Sequence, residues 1–297
     1  MQAIPAQVDA TQAAAMRAAA GSATAMPANG ATPHTPVLHV SYVKSGSYLL
    51  WRTFDLLFRA AGRKRSFVQN HPIQAQRGTW PDFSIEQFDI DQVLVQDDGV
   101  HWQIETQHIE RVSDLDAYLA ACSHVWTHSF LCERSFEVYP RCGRVCYIVR
   151  DPRDALVSMA HFVLTPFQRR YHPHRATSAE HYVALELETF LGDWVRHAGE
   201  HWRARTALDI EILRYEDLIA DLPAALRRLA DWSGLALDDA ALAGVAAELD
   251  VNRMRAKNPQ HVRSGRSGGF EELLTPAQQA RALELCAPVM RRFGYPV

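Results

Sequence analysis

The stretch V-L-H-V-S-Y-V-K-S-G-S, residues 37–47, decides how this chain is read. Its first seven residues are rich in β-branched and aromatic residues, and the run is short enough for a buried strand. K-S-G-S then interrupts the run. The next segment, Y-L-L-W-R-T-F-D-L-L-F-R-A-A-G at 48–62, sets Arg52, Asp55 and Arg59 three and four apart among apolar residues. That spacing predicts a mostly buried helix with one wet stripe, ended by Gly62. The unit is strand, tight polar turn, helix.

A second such unit is V-C-Y-I-V at 145–149 leading into R-D-P-R-D-A-L-V-S-M-A-H-F at 150–162. Asp151 suits an N-cap, Pro152 the first helical position and Asp154 the third. Short strands are also expected at 124–130 (H-V-W-T-H-S-F) and 208–215 (L-D-I-E-I-L-R-Y). A helix over 222–233 should stop at Gly234, and Thr275, Pro276 and Gln278 open a last one reaching about Arg292, with Gly294 behind it. Strands alternating with helices imply an α/β fold around a mainly parallel sheet.

Bulk properties bound the function. The 297 residues carry 31 Lys plus Arg against 34 Asp plus Glu, a formal net charge of -3, so no general nucleic-acid or membrane-surface binder is expected. Any cationic site must be local. Residues 18–43 hold no charge, but three prolines and several polar residues interrupt them, so no membrane span is written there. The first 36 residues are Ala-rich and lack the pattern of a secretory signal. They read as a flexible tail, with one weak helix around 13–20, ahead of a single domain at 37–297. Five cysteines without a C-x-x-C give neither a disulfide framework nor a zinc ribbon and suit reduced thiols in a cytoplasmic protein.

Three places concentrate cationic chemistry. Lys44, Ser45, Gly46 and Ser47 stand at a helix start, where free backbone N–H groups and the helix dipole favour an anion. The Walker A order is absent, because Lys44 precedes the glycine, and K-S-G-S is also an ordinary tight turn. Arg150 stands at the end of a strand, where open α/β sheets bind ligands, although Arg150, Asp151, Arg153 and Asp154 also describe a salt-bridged helix start. The third place is residues 253–266, where Arg253, Arg255, Lys257, Arg263 and Arg266 occur with no acid among them. His197 and His201 lie four apart, with His172 and His174 nearby, but no H-E-x-x-H or carboxylate cluster accompanies them. They read as solvated residues, and no metal is expected.

Taken jointly, these residues resemble the cytosolic-type sulfotransferase family, which uses 3'-phosphoadenosine-5'-phosphosulfate (PAPS). The family's Y-P-K-S-G-T-T-W is similar to Y-V-K-S-G-S-Y-L at 42–49, and its R-[ND]-P-[KR]-D-x-x-V-S to the block at 150–158. Its Y-E-D is matched at Tyr215, Glu216 and Asp217, and its R-K-G-x-x-G-x-W by R-S-G-R-S-G-G-F at 263–270. The resemblance implies a P-loop-like three-layer fold and a sulfuryl transfer from PAPS to a hydroxyl of a small-molecule or carbohydrate acceptor, leaving PAP. It implies that Lys44, Ser45, Gly46, Ser47 and Tyr48 hold the 5'-phosphosulfate. Arg150, Ser158, Arg263, Ser264 and Gly265 would hold the 3'-phosphate, and Tyr215 would lie near the adenine. It makes His128, in Thr127-His128, the general base, Lys44 the stabiliser of the bridging oxygen, and Ser158 a restraint on Lys44 until the acceptor arrives.

This sequence also departs from the family pattern. The tryptophan that commonly stacks near adenine is Leu49, and Trp51 falls on another helix face. A lysine common two residues before the histidine is Trp126, the proline two after is Phe130, and the lysine of R-K-G is Ser264, with Arg266 nearby as a replacement cation. The pairing motif of animal members is not evident, which leaves the oligomeric state open. Acceptor selectivity is expected from residues 63–115 and from a mobile basic, aromatic loop at 165–181. Two other readings stay open: a P-loop kinase-like phosphotransferase, and a non-catalytic nucleotide-binding module of the same fold.

Overall fold

The structure, a computed structural model, describes residues 35–258 and 265–297. The expected tail helix at 13–20, Arg263 and Ser264 lie outside the described residues.

Seven strands form one sheet in the order β4-β3-β2-β5-β1-β6-β7: β1 Val37–Ser41, β2 Gln92–Gln96, β3 Gly99–Ile104, β4 His108–Arg111, β5 His124–Thr127, β6 Arg144–Val149 and β7 Ile210–Arg214. β1 lies at the centre, parallel to β5 and β6, and β7 runs parallel to β6. β2, β3 and β4 form an antiparallel extension. Helices cover both faces, so the expected three-layer, mainly parallel α/β architecture is the one observed. One core lies between the sheet and the helices Pro152–Phe162, Ala179–Ala204 and Pro276–Met290. A second lies under Ser47–Ala60 and Leu222–Trp232.

Register places the chemistry. Val40 of β1 is opposite Thr127 of β5, Ser41 is opposite Ile148 of β6, and Val149 is opposite Arg214 of β7. Four neighbouring strands therefore end at one edge, and the residues just beyond them, including Lys44, His128, Arg150 and Tyr215, leave the sheet side by side. This is the carboxyl edge, where parallel sheets bind ligands.

Local signals behave as their chemistry dictates. Asp151 caps Pro152–Phe162 by accepting from the Arg153 N–H at 2.9 Å. Thr275 and Gln278 form a reciprocal capping box at the start of Pro276–Met290. Four expectations need correction. Asp55 is not on a wet stripe: it is buried and paired with Arg52, Arg59 and Lys64, and Lys64 lies too far along the chain for helix periodicity to reveal. The 165–181 segment is not a mobile loop throughout, because Thr165 caps a helix, Pro166–Tyr171, that buries Phe167 and bonds through Tyr171 to the Pro81 carbonyl at 2.8 Å. His197 and His201 are fully buried, bonded to the hydroxyls of Tyr147 at 2.9 Å and Tyr139 at 3.2 Å. The absence of an acid within 253–266 does not leave that cluster free for an anion, since Glu248 of the preceding helix pairs with Arg253 and Lys257.

Candidate functional site

The carboxyl edge opens into a cavity of about 570 Å³, within the usual range for a small-molecule site. Lys44, Gly46, Ser47, Tyr48, His128, Arg150, Ser158, Tyr215 and Gly265 all line it. Residues drawn from separate segments of the chain thus meet around one space. Ser45, between two lining residues, is buried, and its Oγ has no hydrogen-bond partner among the described residues.

The turn at 44–47 is shaped by two left-handed residues, Lys44 at φ 63° and Gly46 at φ 98°. A lysine there is unusual, because its Cβ crowds the following carbonyl. The helix Ser47–Ala60 begins at Gly46 with no side-chain cap, so its first N–H groups face the cavity end of the turn without an internal partner. Gly46 also meets a close neighbour: a Cβ there would fall 2.5 Å from Cδ2 of Tyr215.

Arg150 ties the walls together. Its guanidinium donates to the Lys44 carbonyl at 3.4 Å and the Arg266 carbonyl at 2.9 Å, and lies 4.4 Å over the Tyr215 ring. Its Nε remains buried without a partner among the described residues. The glycine-rich segment is held from the other side by Asp154, whose carboxylate accepts from the N–H groups of Gly268 at 2.7 Å and Phe270 at 3.1 Å. Sequence reasoning assigns Asp154 to its own helix start. It serves a loop more than a hundred residues away, which local pattern does not disclose.

Burial, and next the charge of Arg150, pull Lys44 down to about 7. No carboxylate among the described residues lies within ion-pair distance of its ammonium, which sits 3.7 Å over the Phe162 ring instead. No hydrogen bond joins it to Ser158. A half-desolvated lysine, an unpartnered arginine N–H and an unpartnered serine hydroxyl around one cavity are what a bound anion would satisfy.

His128 comes directly after β5. Its Nδ1 lies 2.7 Å from the Ser41 carbonyl and 3.2 Å from Ser41 Oγ, which in turn meets Ser47 Oγ at 2.7 Å. The histidine and the Lys44 turn are therefore joined through one serine. Burial lowers His128 to about 4 despite the Ser41 carbonyl, with Lys44 adding to the fall, so its imidazole is neutral at pH 7.

The cavity has two ends of different character. Around Tyr215, the walls at Leu49, Ile219, Leu222, Leu249, Val251 and Met254 are aliphatic. Around His128, the walls are Gln92, Glu105, Trp126, Phe162, Gln168 and His172. Glu105 is the one acid lining the cavity among the described residues, and Gln87 holds it at 3.1 Å. Sequence reasoning gives no role to these residues individually. Tyr48 stacks on Trp51 at 5.7 Å and bonds to Glu86, while Trp51 itself is buried away from the cavity.

Fold and cavity define a class: α/β proteins that present a cationic turn and a cavity at the carboxyl edge of a mainly parallel sheet. Comparison makes the class specific. The sulfotransferase domain family matches residues 34–294, and the chain belongs to that family. Among curated relatives, human sulfotransferase 1C2 is 29% identical over 126 residues, covering 40% of this chain and 39% of its own. Rat sulfotransferase 2B1 is 23% identical over 219 residues, covering 74% of this chain and 55% of its own. These matches thus span between about two fifths and just over half of the relatives' length. Among solved structures, mouse sulfotransferase SULT7A1 complexed with PAP has a TM-score of 0.53 at 19% identity, covering 93% of this chain and 90% of its own. Retinol dehydratase in complex with androsterone and inactive cofactor PAP has a TM-score of 0.59 at 17% identity, covering 88% and 82%. At these identities the likeness establishes the fold.

Proposed function

We propose that this chain is a PAPS-dependent O-sulfotransferase. The observation that carries the reading is the single cavity in which Lys44, Arg150 and His128 meet at the ends of adjacent parallel strands. When bound, PAPS supplies the sulfuryl group and presents two anionic centres separated by a ribose.

Lys44, Gly46, Ser47 and Tyr48, with Ser45 among them, would hold the phosphosulfate end. Arg150 and Gly265, with Ser158 and with Arg263 and Ser264 beyond the described residues, would hold the 3'-phosphate. The aliphatic end beside Tyr215 suits a nucleobase face, and Leu49, Val251 and Met254 would stand there in place of an aromatic stack. His128 is the proposed base. Its Nδ1–H stays on the Ser41 carbonyl while Nε2 takes the acceptor hydroxyl's proton, a contribution of roughly 10²- to 10⁴-fold. Lys44 meets negative charge as it develops on the departing bridge oxygen, in a site where burial strengthens the interaction. Positioning supplies much of the rest, as in loose phosphoryl transfer.

The acceptor end, where Trp126 and Phe162 stand among Gln92, Glu105, Gln168 and His172, accommodates a small hydroxyl compound. Residues 37–297 would act as one catalytic domain. No described helix is long and apolar enough to cross a membrane, and the five cysteines, all among the described residues, form no disulfide, which supports a cytoplasmic setting. The test is transfer of radiolabelled sulfate from PAPS to an acceptor extract by the wild-type chain and by His128→Ala. Labelled product from the wild type, its near-complete loss in the variant, and PAP binding by both are expected. Undiminished turnover in His128→Ala would remove the base.

A further inference from the structure

Trp126, two positions before His128 in β5, lines the acceptor end of the cavity and packs with Trp51 and Ile90. Its ring meets the His128 ring edge-on, with centroids 5.1 Å apart at 81°, and its Nε1–H donates to His128 Nε2 at 3.1 Å. An indole nitrogen only donates, so Nε2 must be accepting. A carbonyl only accepts, so Nδ1, 2.7 Å from the Ser41 carbonyl, must carry the proton. Two contacts of opposite and fixed polarity thereby assign the tautomer. They also leave the lone pair of Nε2 already engaged.

We infer that Trp126 is a positioning residue for the transfer, holding His128 as its Nδ1–H tautomer and covering the Nε2 lone pair until an acceptor hydroxyl displaces the indole hydrogen bond. This rests on reading His128 as the base. The incoming hydroxyl is matched to the gap it opens: its oxygen accepts from Trp126 Nε1–H while its proton points at Nε2. In the reaction the acceptor O–H bond breaks and an N–H bond forms on Nε2. The acceptor oxygen bonds to sulfur as the sulfur–oxygen bond to PAP breaks, so charge and protons balance. Water offers the same two functions but has no body for the cavity walls to hold in place, so it displaces the indole hydrogen bond less readily than a bound acceptor. Trp126 would thus restrain wasteful hydrolysis of the donor.

The direct test is nitrogen-15 NMR of histidine-labelled protein near neutral pH, with Trp126→Phe as the comparison, since phenylalanine keeps a ring and removes the donor. The wild type should show His128 protonated on Nδ1, with its Nε2 resonance displaced from the position of a free lone pair. In Trp126→Phe that displacement should vanish and the His128 titration midpoint should rise. Acceptor-free hydrolysis of PAPS should increase by about two- to tenfold, the scale of one net hydrogen bond. An Nε2–H tautomer in the wild type, or an Nε2 resonance unmoved by the substitution, overturns the inference. If Trp126→Phe fails to fold, the wild-type tautomer and Nε2 shift decide alone. The spectra do not depend on turnover, so a failed transfer assay and a failed Trp126 assignment are distinguishable.

Discussion

The ring of Tyr215 occupies the space that a side chain on Gly46 would need, with Cδ2 only 2.5 Å from an ideal Cβ there. Two demands coincide at Gly46, since its φ of 98° is itself strained for any L side chain. Gly46→Ala should displace Tyr215, and with it the Arg150 guanidinium stacked above. We predict a loss of stability of about 1–3 kcal/mol from overpacking and strain, seen in urea unfolding, together with at least tenfold weaker PAP binding by calorimetry. Unchanged PAP affinity would show that the Tyr215 wall is not part of the nucleotide site.

Asp154 offers a second test at a distance from the ligand. Its carboxylate takes two N–H groups of the 268–270 segment, while Arg150 holds the Arg266 carbonyl. Asp154→Asn presents an amide N–H to one of those donors and should lose about 1–3 kcal/mol. PAP should bind more weakly, with Lys44 and His128 untouched. Equal binding by the variant would mean that the segment needs no anchor.

How far the sequence foretells this arrangement differs from residue to residue. The Lys44 turn, the Asp151 cap and the parallel strands are legible because each is set by neighbours in the chain. β2, β3 and β4 are not among the expected strands, although Asp98-Gly99 between two segments rich in valine is a hairpin signal. His197 and His201 read as solvated in the sequence, although Trp194 and Ala198 on the same helical face mark it as buried. The bonds of Arg150 to residues 106 and 116 positions away have no local signature. Nor does the polarity of the Trp126 to His128 contact, which depends on ring orientation.

Proton linkage at Lys44 gives a third prediction. The free protein holds it at about 7, and a bound anion favours the ammonium form, so binding should raise it. Between pH 7 and 8.5 PAP binding should therefore take up a fraction of a proton, and affinity should fall as pH rises. Calorimetry in two buffers of different ionisation enthalpy measures the uptake. Lys44→Arg, charged throughout, should show none. Proton release by the wild type would contradict the assignment.

Buried histidines set the acid limit of stability. His39 is lowered to about 3 and His201 to about 4, in both cases chiefly by burial. Because these folded values lie below the unfolded value near 6.5, the unfolded chain binds more protons as pH falls through 6.5, and stability is lost there. Each contributes a loss of about 2 kcal/mol by pH 5. Asp91, raised to about 6 mainly by burial, acts in the opposite sense and offsets about 1 kcal/mol. The urea midpoint should drop clearly between pH 7 and pH 5. A flat profile would mean that these rings are protonated in the fold.

A single ligand must reach both the Lys44 turn and the Arg150 wall for this chain to transfer sulfate as proposed. Titration of PAP against AMP measures this most directly, since the two differ only in the 3'-phosphate. Much tighter binding of PAP in the wild type, with the difference abolished in Arg150→Ala, is the predicted result. Equal affinity of the wild-type chain for PAP and AMP would contradict it.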